Sequence, residues 1–177
     1  MLIIAVFTIS ALTLYTAPTN KSGGNESIIA DWQWAKEYTL AYIESMPESG
    51  LDTRPTDSIR SFTEQMLHIT SANVGIIAQA TGIPPTIENV RELEKSKDFG
   101  NKEALAVVVA KGYDYVIAAV QATSSEKMNE NIKLFGQFEM TKGDAFHKAF
   151  IHQNHHRGQC AVYIRLAGGT PAQMKLF

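Results

Sequence analysis

The chain has a single cysteine, Cys160, in 177 residues. One thiol makes neither an internal disulfide nor a cysteine-type zinc site. There is no run of lysine or arginine and the formal net charge is -2, so the positive footprint that binds nucleic acid is missing. GxxxxGK[ST], GxGxxG and GxSxG are all absent, which removes the usual signals for phosphate-cradling loops and serine hydrolases. No period-2 alternation runs longer than a few residues, which argues against a β architecture. What remains is ordinary globular composition, 45% apolar and 19% charged, at a length that suits one domain with a real core.

The opening stretch "MLIIAVFTISALTLYTAPTNKSGG" starts with roughly a dozen mostly apolar residues and then turns polar. It falls short of the about 20 residues that cross a bilayer, so no stable membrane span is expected. Its length matches the apolar region of a signal peptide. The best cleavage point follows Ala17, although no Lys or Arg precedes the run and bulky Tyr15 lies two positions before it. Residues 1–24 are therefore read as a signal peptide or a segment outside the fold, and 25–177 as one domain. The expected location is exported or periplasmic, the alternative a cytoplasmic protein with an unfolded tail.

The rest reads as helices. The first runs from Ser27 to Met46 and is stopped by Pro47. The second opens near Asp57 or Ser58, both good N-cap residues, and ends at Gly82 before Pro84 and Pro85. A polar connector, "IPPTIENVRELEKSKDFG", has room for one helical turn. The third helix spans Asn101 to Thr123 and is apolar on most faces, so it is expected to be the most buried. Residues 124–140 are irregular, with a short extended piece near Ile132 to Phe138. The fourth helix opens at Thr141, where "TKGD" resembles a capping box, and runs to Ala167 before Gly168 and Gly169. Four long helices joined by long connectors predict an all-α four-helix bundle.

Three of the five histidines fall inside "FIHQNHHRGQ". In the fourth helix Ala145, Ala149, His152, His156, Cys160, Tyr163 and Ala167 recur three or four residues apart, the inward seam of a bundle helix. An i, i+4 histidine pair can point both rings at one ion, and the second helix can bring His68 opposite them. Spacing also allows His152 with His155. His155 lies off the seam, so His156 is preferred and His155 is assigned to the rim. His147, also off the seam, reads as a surface residue. Arg157 and Gln159 are assigned to the rim, where they would orient ligands or outer contacts. Cys160 reads as a small buried filler, and Tyr163 as a packing or capping residue. The HExxH metalloprotease pattern has the same spacing, but Gln153 stands where its glutamate would be. A base must then come from elsewhere, and Glu64, one turn before His68, is the best candidate.

"SIRSFTEQMLHI", ending at His68, together with "HQNHHRGQCAVYIRLAGGTPAQMKLF", resembles the two halves of the DinB/YfiT-like metal-binding bundle pattern. The likeness extends over nearly the whole chain after residue 25. It implies that His68, His152 and His156 bind one divalent ion: nickel, zinc, iron or manganese. It further implies a metal-dependent hydrolase or a thiol-dependent transferase acting on a small molecule, in a fold that often forms homodimers. Small thiols are mainly cytosolic, so export would favour water over thiol. The alternative is a non-catalytic bundle in which the ion staples helices or is sequestered.

Overall fold

In the computed structural model of the chain, residues 24–174 are described. The expected signal segment lies, except for Gly24, outside them. The described residues form α1 (Glu26–Ser45), α2 (Phe62–Thr81), α3 (Lys102–Ala122), the one-turn α4 (Ser125–Met128), β1 (Asn131–Leu134), β2 (Phe138–Thr141) and α5 (Lys142–Leu166). Two 3-10 turns, Glu48–Gly50 and Val90–Lys95, sit in the connectors. The four long helices make an all-α bundle. α1 packs on α3 and α5, and α2 packs on the same two helices from the opposite corner. No helix among the described residues is long and apolar enough to cross a membrane.

α2 starts later than Asp57 or Ser58. Phe62 N–H donates to Thr53 O and Thr63 N–H to Leu51 O, which ties the preceding residues into a turn. The N-cap is Ser61: its hydroxyl accepts from Glu64 N (3.2 Å), and the Glu64 carboxylate accepts from Ser61 N (2.9 Å). This reciprocal capping box satisfies two end groups at once, more than a single cap at 57 or 58 offers. The helix ends at Gly82 in the left-handed region (φ 75). α5 is capped as "TKGD" predicts, with Thr141 and Asp144 exchanging hydrogen bonds.

The most enclosed helix is α2 rather than α3. α2 is wedged between α3, α5 and the Val90–Lys95 turn, whereas α3 leaves Val107 exposed on its outer face. α2 and α3 approach closely where Gly112 faces Thr70; a Cβ at Gly112 would stand 2.6 Å from Thr70 Cγ2. The irregular stretch contains α4 and an antiparallel hairpin that pairs Asn131 with Thr141 and Leu134 with Phe138. The hairpin delivers the chain to the α5 N-cap. The connector after α2 does hold a helical segment, two turns of 3-10 helix rather than the single turn expected, and it folds back onto α2.

Candidate metal centre

α2 and α5 are neighbours, so residues 68, 152 and 156 meet across one interface. The His68 ring centroid lies 5.0 Å from that of His152 and 4.5 Å from that of His156. His152 and His156, one turn apart on α5, are 4.5 Å apart. One ring nitrogen from each residue lies within 4.8 Å of the other two. All three side chains are half-buried.

Each of two rings is held from behind. His68 Nδ1 is 2.6 Å from Glu94 Oε1, a residue carried on the 3-10 turn. Glu94 also accepts from Arg60 Nε (2.8 Å) through its other oxygen. Burial raises the Glu94 pKa, but the hydrogen bonds from His68 and Arg60 outweigh it and hold the carboxyl below its ordinary range. His156 Nδ1 is 3.1 Å from Gln65 Oε1. The Gln65 amide is oriented by its own donors, because Nε2 donates to Gln159 Oε1 and to the Tyr163 hydroxyl, both at 3.1 Å. An oxygen acceptor at Nδ1 selects the Nδ1–H tautomer and leaves the Nε2 lone pair free. His152 Nδ1 is buried without a hydrogen-bond partner.

Protonation points the same way. Burial, and then repulsion from His68, His152 and His155, lowers the His156 pKa to about 4. Burial, followed by His68 and His155, lowers His152 as well. Both imidazoles are therefore neutral near pH 7, the form a metal requires. Imidazoles from two helices, two of them braced by oxygen acceptors and the third with an orphaned nitrogen, fit a divalent ion.

The other residues singled out in the sequence fall in different places. Gln159 reaches the cluster through Gln65 and shares a hydrogen bond with His155 Nε2 (3.1 Å). His155 is exposed, its ring 5.0 Å from His156. His147 is exposed and apart from the cluster. The structure places Glu64 in the capping box and in an ion pair with Arg54 (2.6 Å), which pulls its pKa down. Cys160 is fully buried, and burial pushes its thiol up to about 12, so it is a filler and not a thiolate.

Arg157 is not at the rim of the histidines. It turns toward α1, where Nη1 meets Ala35 O and Thr39 Oγ1, and toward Gln153 and Asn154 of its own helix. The reason is angular: successive residues on a helix lie about 100° apart, so the neighbour of an α2-facing histidine faces elsewhere. Sequence reasoning missed Glu94 and Gln65. The signal for Gln65 was available, since it sits three residues before His68 on the same helix. Glu94 lies 26 residues from His68 in a loop, and only the fold brings it back.

A cavity of about 690 Å³ adjoins His156. Pro55, Ile59, Val162 and Tyr163 supply its apolar surface, and Arg60, Gln65 and Gln159 its polar groups.

Comparison with known proteins agrees with the helical-bundle fold. The DinB family model matches residues 19–177. Among solved structures, a DinB-like protein from Bacillus cereus superposes with a TM-score of 0.72 at 21% identity, covering 86% of this chain and 98% of that one. A DinB-like protein from Bacillus subtilis gives a TM-score of 0.62 at 16% identity, covering 84% and 96%. No curated protein matches the chain.

Proposed function

The chain belongs to the DinB family, and we propose that it is a metal-dependent enzyme acting on a small molecule, by hydrolysis or by transfer to a small thiol. The observation that carries this reading is the group His68, His152 and His156, which contains no fourth His, Cys, Asp or Glu among the described residues. Three protein ligands leave coordination positions open, as catalytic sites do and closed structural sites do not. A divalent ion held there supplies Lewis acidity and lowers the pKa of a water or thiol beside it.

The chain's own residues do the rest. Glu94 and Gln65 fix the rings of His68 and His156 and keep their lone pairs turned inward. The adjoining cavity offers an apolar wall of Ile59, Val162 and Tyr163 to a substrate's body, while Arg60 and Gln159 offer donors to its polar end. Residues 1–24, read as an export signal, favour hydrolysis, because small thiols are mainly cytosolic. Mass spectrometry of the mature N-terminus tests that assignment.

The central test is elemental analysis of protein purified without an affinity tag, followed by turnover of a panel of small esters, amides and thiol acceptors before and after chelation. The expected result is about one ion per chain, and turnover that chelation removes and metal restores. Protein that holds no divalent metal from any source overturns the reading.

A further inference from the structure

We propose that α5 carries a second ligand site on its other face: a cleft for a small aryl or alkyl carboxylate, built on Arg157 and the aromatic side chains of α1 and separate from the histidines. A cavity of about 990 Å³ opens between α1, α5 and residues 171–174. Trp34, Tyr38, Tyr42 and Phe150 line it, which gives a flat apolar body something to lie against.

Arg157 is the unusual group. Its residue is only 5% exposed, yet it lines this cavity. Every acceptor it meets is neutral: Ala35 O and Thr39 Oγ1 at 3.4 Å, Gln153 Oε1 at 3.0 Å, and Asn154 Oδ1. Its guanidinium carbon lies 4.5 Å from the centroid of Tyr38 and 5.2 Å from that of Trp34. Among the described residues no carboxylate pairs with it. Asp31, which also lines the cavity, is exposed. A buried charge without a counter-charge is expensive, and π faces with neutral oxygens offset only part of that cost.

A second donor on the same wall lacks an acceptor. Trp34 Nε1 is buried and makes no hydrogen bond. Arg165 adds a further exposed cation to the lining. Two arginines and an unsatisfied indole N–H beside tilted and edge-on aromatic rings suit a carboxylate joined to an apolar group. The guanidinium takes the charge, and the rings take the body. The histidines are not involved, since they face α2 while Arg157 faces α1.

The probe is phenylacetate, with phenylacetamide as its neutral counterpart, titrated by calorimetry into metal-loaded and chelator-treated full-length protein. Phenylacetate should bind saturably, about tenfold or more tighter than the amide, and equally in both forms of the protein. Arg157→Met should weaken it by about tenfold or more, and Trp34→Phe by a few-fold. Ala161→Phe, which narrows the cleft and keeps the guanidinium, should abolish binding. If Arg157→Met does not fold, the other two variants decide. Absence of saturable binding, equal affinity for acid and amide, or binding that disappears on chelation would overturn the proposal; the last result would place the acid at the histidines.

Discussion

On the α2 side of α5, His152 and His156 are half-buried beside a third imidazole, and burial followed by repulsion from neighbouring imidazoles takes them to the neutral form. On the α1 side, one residue further along, Arg157 is buried more completely, and burial lowers its pKa too. The outcomes differ because the starting points differ. An imidazole titrates near 6.5, so a modest desolvation cost strips its proton at pH 7. A guanidinium starts far above neutral pH and keeps its charge. The same bundle environment therefore makes neutral lone pairs on one face and a fixed cation on the other. One face suits a metal ion and the other an anion.

The sharpest test of this division is His152→Ala. It removes one of three ligands, and ion content should fall from about one per chain to near none by elemental analysis. Arg157→Met should leave the ion in place; if it empties the site as well, the two faces are not independent. That variant should instead leave stability in urea unfolding within about 2 kcal/mol of the parent, because removing an uncompensated buried charge offsets the hydrogen bonds that Gln153 and Thr39 lose. Glu94→Gln should weaken metal affinity by about 10–100-fold, measured by competition with a chromophoric chelator, with little change in unfolding midpoint.

The comparison can also be sharpened through pH dependence. In metal-free protein the folded His156 titrates near 4 and the unfolded one near 6.5. Between those values the unfolded chain binds the extra proton, so stability present above pH 6.5 is lost as pH falls toward 4. Arg157→Met should show the same slope across this window, since a guanidinium does not titrate there. A flat stability profile between pH 6.5 and 4 would contradict the depressed imidazole.

The seam of α5 was legible because burial follows helical period: Ala145, Ala149, Cys160 and Tyr163 are buried at the positions the spacing assigned to the inward face. The α5 capping box was legible for the same local reason. The start of α2 was not, since the turn holding residues 51–63 together competes with the early N-caps through hydrogen bonds that close only in three dimensions. Arg157 was misplaced because its motif neighbour faces the cluster and one step of helix rotates it away.

From its residues alone the chain determined that it would form four amphipathic helices, that His152 and His156 would share a face, and that α5 would begin at Thr141. Local period and capping decide those features, and both are written in consecutive residues. Which helices touch, and therefore that Glu94 would brace His68 and that a guanidinium would be enclosed by α1, was decided only when the core closed. Those contacts join residues 26 and more than a hundred positions apart, and their partners are chosen by how apolar faces fit together.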